Sequence, residues 1–543
     1  MNGAELFVKC LENEGVDLLF GLPGEENLEI LDALSSTRIR PVITRDERGA
    51  AFMANALGRL TGSPGVCLST LGPGATNLVT GIADAYLDFA PLLAVTAQAS
   101  ARRMHKESHQ YIDILSMLRP ITKWNTRVES PVTIPEVVRK AFKKAVWEKK
   151  GPVHIEVPED MAAAEVDGEP LNPAEASYPI PPEKEIRKAV ELIREASMPL
   201  ILAGNGVLRN RAAGELLGFA RKAGIAVINT FMGLGAVPAD DELFISTIGL
   251  QSRDYVQCGI DRADLIIAVG YDHVEFSPRY WNYDKKIIHI DTTPAEVDAA
   301  YSAFELVGDI GMTLRLMADL FESPKDPSYC IALKRDLRET RDAILHHKGA
   351  GAGVNPLRVV MEMRACLNRD DILVSDVGAH KIWISRFYEA YEPDTVLISN
   401  GLASMGFAIP GAVAAKLRNP ERNVIAATGD GGFLMSVGEI ETAVRNRAAI
   451  VVLIFNDNGY GLIRWKEEAR YRRNFLVDLG NPDFVRLAES FGCKGYRVDH
   501  GDRLQATIQE ALKNTVPSII DCSVDYSINR ILTERLGQIV CGL

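Results

Sequence analysis

Two short polar segments late in the chain have the residue types that bind a metal ion and a phosphate group. Residues 428–432 (TGDGG) follow the apolar run 424–427, and residues 456–461 (NDNGYG) follow the apolar run 450–455. If both runs are neighbouring parallel strands, Asp430 and Asp457 meet at one sheet edge. Mg²⁺ favours one or two carboxylates completed by water and phosphate oxygens. Each segment alone is more often an ordinary strand-to-helix turn; together they predict a metal and phosphate site.

A carboxylate near the other end of the chain could activate a bound cofactor. Glu47 follows the apolar run Pro41-Val42-Ile43 and opens a predicted helix whose first turn is small and apolar. Desolvation in such surroundings raises the pKa of a carboxyl group and lets it share a proton. From the residues alone, a glutamate at a helix start is more often a favourable partner of the helix dipole.

The elements that must position these residues alternate along the whole chain. Short apolar runs between helical patterns predict parallel sheets with helices on both faces. The predicted strands are 66–70, 92–96, 153–157, 200–203, 265–269, 287–290, 424–427, 450–455 and 518–521.

Two stretches rich in proline or glycine, 168–182 and 346–356, interrupt this alternation and indicate domain boundaries. We therefore predict an α/β protein with three doubly wound parallel-sheet domains, at 1–165, 184–345 and 355–543. No low-complexity segment or short repeat is visible.

The composition excludes several classes of protein. The 543 residues are 47% apolar and 24% charged, which is typical of folded globular domains, and the net charge of −12 disfavours nucleic acid as a partner. We expect a cytoplasmic protein, because we find neither an N-terminal signal nor an apolar run long enough to span a membrane. The eight cysteines are scattered without a CxxC pair, which favours reduced core thiols.

The paired polar segments resemble the diphosphate-binding motif of thiamine-diphosphate enzymes. In that family an aspartate of the GDG loop, a side chain of the following Asn-rich turn and a main-chain carbonyl hold Mg²⁺, which implies Asp430, Asp457 and Gly459 as metal ligands. The family more often has asparagine at the second position, and the extra carboxylate of Asp457 should strengthen metal binding. The family's essential glutamate precedes a Gly-Ala-Ala helix start, which implies Glu47 as the catalytic group that activates the cofactor.

The same resemblance implies the other residues around thiamine diphosphate. Residues 20–24 resemble the family's first strand-to-helix loop and residues 71–77 its GPG turn. Met405 takes the position of the side chain that props the cofactor into its bent form, although methionine commonly only fills a core. The implied cofactor-binding residues are Pro23, Gly24, Gly74, Asn77, Gly378, His380, Met405, Gly429, Gly431, Gly432, Tyr460, Gly461 and Leu462.

Over the whole chain the resemblance is closest to acetolactate synthases, which decarboxylate pyruvate and join the two-carbon unit to a second 2-oxo acid. His109 and Gln110 match the His-Gln pair of the catabolic type; the resemblance places Gln110 facing the reacting end of the cofactor and implies a catalytic role for His109 beside it. An isolated histidine is ordinarily structural or exposed. Leu462, Ile463 and Trp465 are implied as a wall of the substrate pocket, and a packing role on their helix is equally open.

The middle of the chain bears on FAD, which is structural in the biosynthetic synthases. Residues 232–238 resemble the FAD-containing type, but the Arg-Phe-Asp-rich segment that follows there is missing. Residues 269–276 instead resemble the FAD-free catabolic type. The turn Gly204-Asn205-Gly206 could approach a dinucleotide, but one such turn is weak evidence. We expect no FAD.

The resemblance thus implies synthesis of 2-acetolactate from two pyruvates, in a homodimer or homotetramer with active sites at the subunit interface. The nearest alternative is another thiamine-dependent 2-oxo acid decarboxylase or carboligase. Glyoxylate carboligases are disfavoured because they lack the glutamate that Glu47 supplies. A non-catalytic nucleotide-binding α/β protein is a remote alternative. The choice between pyruvate and 2-oxobutanoate as second substrate, and the need for a regulatory subunit, stay open.

Overall fold

The computed structural model describes residues 1–173, 176–249, 257–282, 284–347, 349, 351, 353–529 and 531–532. The described chain contains three six-stranded, entirely parallel sheets, each within one of the three predicted domain ranges. Parts of both predicted linkers (174–175, 348, 350 and 352) and Cys541 lie outside the described residues.

The first sheet has the strand order β2-β1-β3-β4-β6-β5. Its strands are β1 (Leu18–Gly21), β2 (Arg40–Ile43), β3 (Gly65–Ser69), β4 (Leu92–Gln98), β5 (Trp124–Arg127) and β6 (Pro152–Pro158). The helices of this domain are α1 (Gly3–Asn13), α2 (Leu28–Leu34), α3 (Glu47–Thr61), α4 (Pro73–Asn77), α5 (Val79–Leu87), α6 (Ala101–Met104), α7 (Ile114–Leu118), α8 (Ile134–Val146) and α9 (Glu159–Ala163).

The central sheet has the order β12-β11-β10-β7-β8-β9. Its strands are β7 (Pro199–Ala203), β8 (Val227–Asn229), β9 (Phe244–Thr247), β10 (Leu265–Val269), β11 (Lys286–Asp291) and β12 (Ala303–Val307). Its helices are α10 (Glu183–Glu195), α11 (Asn205–Arg209), α12 (Ala213–Ala223), α13 (Gln257–Arg262), α14 (Ile310–Leu320) and α15 (Ser328–Leu345).

The third sheet has the order β14-β13-β15-β16-β18-β17. Its strands are β13 (Ile372–Ser375), β14 (Val396–Ile398), β15 (Val424–Gly429), β16 (Val451–Asn456), β17 (Lys494–Val498) and β18 (Ser518–Ser523). Its helices are α16 (Pro356–Cys366), α17 (Ala379–Phe387), α18 (Ala408–Arg418), α19 (Asp430–Met435), α20 (Glu439–Arg445), α21 (Gly461–Tyr471), α22 (Phe484–Ser490) and α23 (Leu504–Ala511).

The first and third sheets share one strand order when each is counted from its own first strand. The GPG turn therefore follows the third strand of the first sheet, and the GDG loop follows the third strand of the third sheet. The two turns that are predicted to bind the ligand occupy equivalent places at the carboxyl edges of two sheets with the same topology. This duplication is not visible in the sequence.

All nine predicted strands are present, and nine further strands complete the sheets. Several of the missed strands are as short as Val227–Asn229 and Val396–Ile398, too short to show a pattern of their own. The single helix expected after the GDG loop is instead two, α19 and α20, separated at residues 436–438. Among the described residues, no helix is both long and apolar enough to cross a membrane.

Helices α3 and α18 join the first and third domains. Their buried faces belong to one continuous apolar core, in which the rings of Phe52 and Phe407 meet edge to face at 5.7 Å. The cysteines whose side chains are described are free thiols, and Cys10, Cys67, Cys493 and Cys522 are buried. The helix that begins with Glu47 is thus anchored on the domain that carries Asp430.

Candidate active site

The two polar segments of the third domain lie side by side at the carboxyl edge of its sheet. Strands β15 and β16 are adjacent and parallel, with Gly429 opposite Phe455. Asp430 is the first residue of α19, and Asp457 directly follows β16. The strand order therefore brings these two carboxylates together, as predicted.

The two carboxylates differ in their partners. Asp430 is buried and accepts hydrogen bonds from the Gly459 backbone at 3.0 Å and from Asn481 Nδ2 at 2.7 Å. Asp457 forms an ion pair with Arg464 at 2.8 Å. Burial raises the pKa of Asp430, while burial and the nearby Asp430 raise the pKa of Asp457 to about 7. A divalent cation between them would relieve this repulsion.

Two residues of this arrangement were missed in the sequence. Arg464 lies one helical turn into α21 and also bonds Asp478 at 3.0 Å. Asn481 lies 51 positions after Asp430 in the sequence, so no local pattern indicates that the two residues are in contact. The sequence did contain a signal for Arg464. It is a cation seven residues after Asp457, at the start of the helix that follows the loop predicted to bind the metal.

A cavity of about 250 Å³ opens beside the two aspartates. Among the described residues, its lining comes entirely from the third domain. It gathers the predicted residues Gly378, His380, Met405, Gly429, Asp430, Gly431, Gly432, Asp457, Gly459, Tyr460, Gly461, Leu462 and Ile463. Ala403, Phe455 and Tyr526, which sequence reasoning did not select, complete much of the wall.

His380 places a neutral imidazole at this cavity. Its ring is buried, stacks on Phe455 at 5.4 Å, and has a pKa lowered by burial to about 3. Its Nε2 atom has no hydrogen-bond partner among the described residues. A neutral imidazole has one N–H, and in the tautomer that places this proton on Nε2 it would donate to a phosphate oxygen without bringing a charge.

Gly431 keeps the cavity open. A Cβ atom at this position would lie 3.1 Å from Tyr460 Cε1 and 3.3 Å from Met405 Cε. Met405 therefore lies against the GDG loop, and any larger residue at 431 would press on it. The bare backbone leaves this space to a ligand.

Glu47 lies at the corresponding edge of the first domain. It is the first residue of α3, and its side chain is buried, with 8% of the residue exposed. Asn77 Nδ2 donates a hydrogen bond to Glu47 Oε2 at 3.0 Å, and a Cβ on Gly74 would lie 3.1 Å from Glu47 Oε1. The structure thus brings together three residues predicted from two separate motifs.

The remaining residues predicted in the first domain surround the same edge. Gly24, next to Pro23, packs so closely on Thr70 that a Cβ would come within 2.5 Å of it. The backbone oxygen of Gln110 lies 2.7 Å from the position of a Cβ on Gly72. His109 is exposed, and its carbonyl oxygen accepts a hydrogen bond from Arg103.

The three residues predicted for the substrate wall separate in the structure. Leu462 and Ile463 line the cavity at the start of α21. Trp465 is not among the lining residues and packs against the apolar core that the central and third domains share. Trp465 therefore packs on the core, and Leu462 and Ile463 line the cavity.

The turn Gly204-Asn205-Gly206 of the central domain holds a carboxylate of the chain itself. The Asn205 backbone donates to Glu275 Oε1 at 3.0 Å, the Asp272 backbone donates to the same oxygen at 3.1 Å, and Thr230 donates to Oε2. Burial and the Asp272 carboxylate raise the pKa of Glu275. The backbone donors that could receive a dinucleotide phosphate are already used.

Three family models match the chain in the order of its sheets. They describe the N-terminal TPP binding domain, the central domain and the C-terminal TPP binding domain of thiamine pyrophosphate enzymes, and match residues 1–117, 186–317 and 376–522. The probable acetolactate synthase large subunit of Methanocaldococcus jannaschii is 37% identical over 97% of this chain and 92% of its own length. The chain belongs to the thiamine-diphosphate-dependent acetolactate synthase family.

Other members of the family match over nearly their full lengths. The acetolactate synthase of Bacillus subtilis is 35% identical over 99% of this chain and 95% of its own length. The catabolic acetolactate synthase of Raoultella terrigena is 34% identical over 98% of this chain and 97% of its own length. Membership in this family makes thiamine diphosphate the cofactor of the chain.

The residues of the cavity fit the diphosphate end of that cofactor. The backbone is bare at Gly431, His380 offers an unpartnered ring nitrogen, and two carboxylates stand close together. No group of three or more His, Cys, Asp or Glu side chains suited to a metal occurs among the described residues. An ion here would therefore need carbonyl and phosphate oxygens to complete its coordination, which suits Mg²⁺.

Proposed function

We propose that the protein is an acetolactate synthase that condenses two pyruvates to 2-acetolactate with release of CO2. The observation that carries this proposal is that the chain contains two complementary features. One is the buried carboxylate of Glu47, which accepts a hydrogen bond from Asn77, and the other is the cavity beside Asp430 and Asp457 in the third domain. The names of the relatives support the same reaction.

In this proposal Asp430, Asp457 and the carbonyl of Gly459 hold Mg²⁺, and His380 donates to a diphosphate oxygen. Thiamine diphosphate, when bound, supplies the electron sink for decarboxylation that no amino-acid side chain provides. Glu47 contacts the aminopyrimidine ring and relays a proton there as a general acid–base, in surroundings from which its burial excludes most water.

We further propose that two subunits build each active site. Among the described residues, no first-domain side chain lines the third-domain cavity, so the Glu47 edge of a second copy could cover it. Large apolar side chains near the cavity support this arrangement: Ile463, Phe475 and Leu476 are 48%, 69% and 83% exposed. A homodimer is the smallest active form, and a homotetramer contains two such pairs.

The central crevice supports an enzyme without FAD. A dinucleotide phosphate at the Gly204-Asn205-Gly206 turn would have to displace Glu275, which already accepts the Asn205 and Asp272 backbone donors. A purified sample with no flavin absorbance in the visible range would support the FAD-free type. Flavin that copurifies stoichiometrically would contradict it.

The rival activity is decarboxylation of a 2-oxo acid with release of an aldehyde. The deciding experiment incubates the purified protein with pyruvate, thiamine diphosphate and Mg²⁺, and measures acetolactate against acetaldehyde. Acetolactate as the main product supports the proposal, and acetaldehyde as the main product supports the rival. Glu47→Gln should abolish turnover, and activity unchanged by this substitution would reject the catalytic scheme.

A further inference from the structure

A helix of the third domain is hydrogen-bonded to the loop that leads into Glu47. This loop connects β2 to α3 and ends one residue before the glutamate. Helix α20 approaches it from the other domain: Arg445 Nη2 donates to the Ile43 carbonyl at 2.6 Å. Glu439, the first residue of α20, accepts hydrogen bonds from the Arg45 and Asp46 backbones, each at 3.1 Å, on one oxygen.

The Glu439 carboxylate is enclosed at this contact. Only 2% of the residue is exposed, and its second oxygen accepts a hydrogen bond from Thr442 at 2.7 Å. On the α3 side, Gly49 faces the carboxylate directly, and a Cβ there would overlap Glu439 Oε1. The absence of a side chain at residue 49 is what lets the carboxylate reach the backbone of the loop.

The bonded donors immediately precede Glu47. Asp46 is the N-cap of α3 and bonds the Arg48 backbone at 2.7 Å through its side chain. A carboxylate that fixes the backbone N–H of Asp46 therefore fixes the first turn of the helix, from which the Glu47 side chain projects. General acid–base catalysis depends steeply on such placement.

We propose that Glu439 is a positioning residue for Glu47, which it orients through the backbone of residues 45 and 46. This inference rests on the proposed function, in which Glu47 is the activating carboxylate. Glu439 does not hold the two domains together alone, because the packing of Phe52 on Phe407 joins α3 to α18 independently. Its loss should therefore alter the Glu47 loop more than the fold.

Three substitutions separate the roles of this side chain. Glu439→Ala removes the acceptor and leaves two partly buried backbone donors without it. Glu439→Gln keeps an oxygen acceptor of the same shape and should restore the wild-type behaviour. Glu489→Gln is the control, because Glu489 is an exposed glutamate of the same domain and lies on α22, which is not the helix that bonds this loop.

The first measurement is backbone hydrogen exchange in the protein without cofactor, read by mass spectrometry on the peptide that contains residues 43–49. We expect exchange at Arg45 and Asp46 to be at least tenfold faster in Glu439→Ala than in the wild type, with Glu439→Gln and Glu489→Gln close to the wild type. Unchanged exchange in Glu439→Ala would overturn the contact itself, whatever the enzyme catalyses.

The second measurement is turnover of pyruvate by the same proteins with thiamine diphosphate and Mg²⁺. We expect kcat of Glu439→Ala to fall at least tenfold while KM for pyruvate stays within twofold, with recovery in Glu439→Gln. Faster exchange with an unchanged kcat would overturn the positioning role. A wild type that makes no acetolactate would overturn the proposed function and the catalytic part of this inference, and the exchange result would still decide the contact.

Discussion

Asn77 donates its side-chain amide to Glu47 across two motifs that lie 30 residues apart, at 3.0 Å. The bond joins the GPG segment to the start of α3 and leaves Glu47 Oε1 facing Gly74. One carboxylate oxygen is thereby held by the protein, while the other lies against bare backbone. Such a carboxylate is oriented before any ligand arrives.

Asn77→Ala should lower kcat about tenfold, because a charge-assisted hydrogen bond of this kind contributes roughly 1.5 kcal/mol to the orientation of its partner. Asn77→Asp should lower kcat further, since a second carboxylate would repel Glu47. Steady-state kinetics with pyruvate measures both. Thr76→Ala, on the exposed neighbour in the same short helix, is the control; equal losses at both positions would argue against a specific bond.

Asp457→Asn should have opposite effects on the metal-free and metal-bound protein. Burial and Asp430 raise the pKa of Asp457 to about 7. At pH 8 the side chain is ionised in both folded and unfolded states, and the folded state bears the repulsion. We expect the variant to be more stable without metal by about 1 kcal/mol or more, and to bind Mg²⁺ at least severalfold more weakly.

Calorimetry in chelator, followed by Mg²⁺ titration in the presence of thiamine diphosphate, tests this pair of effects. Asp478→Asn is the control, because Asp478 also bonds Arg464 but is highly exposed. A loss of stability in metal-free Asp457→Asn would mean that the Arg464 ion pair outweighs the repulsion from Asp430.

Leu462→Phe should narrow the acceptor pocket, because Leu462 lines the cavity beside Ile463. We expect use of 2-oxobutanoate to fall roughly tenfold relative to pyruvate, the amount that one methylene group is worth in a tight pocket. Competition between the two acceptors measures the ratio. Trp465→Phe, in the packed core, should lower the melting temperature and leave the ratio unchanged; the reverse pattern would place the tryptophan at the acceptor.

Acid should destabilise the fold through buried histidines that stay neutral. Burial lowers the pKa of His154, which bonds Thr96 at 2.8 Å inside the first sheet, to about 3. The unfolded chain takes up the proton near pH 6.5 and the folded chain does not, so stability falls as pH drops below that value. Between pH 7 and 5 this one site should cost about 2 kcal/mol.

Urea unfolding at several pH values should show this slope in the wild type and a flatter slope in His154→Gln. His500→Gln, on the exposed surface, should keep the wild-type slope. A wild-type slope in His154→Gln would mean that other groups, His380 among them, account for the acid sensitivity.

The sequence predicted the interior strands better than the strands at the sheet edges. Leu265–Val269 is continuous and apolar because it is buried on both faces, and its limits were predicted without error. Val396–Ile398 and Lys494–Val498 are edge strands, short or partly polar, and were missed. The shared strand order of the first and third sheets was also not predicted, because it lies in which strands pair and not in the residue pattern along each strand.

The sequence by itself determined which groups the protein offers to a ligand. Glycines next to aspartates after apolar runs indicate that a ligand can approach the backbone closely and that carboxylate oxygens can bind a metal. These local patterns predicted Asp430, Asp457 and the wall of their cavity. Glu47 was selected by the resemblance of its Gly-Ala-Ala helix start to that of the family. These features lie within a few residues of one another, so they are visible along the chain.

Only the tertiary structure decided what those groups touch. Arg464 neutralises the additional carboxylate, Asn77 holds Glu47, and Glu439 reaches the same loop from 393 positions away. Trp465 turned inward while Leu462 and Ile463 faced the cavity, because the packing of α21 on the core decides which side is buried. Contacts between distant segments depend on how whole domains pack, and no local pattern encodes that packing.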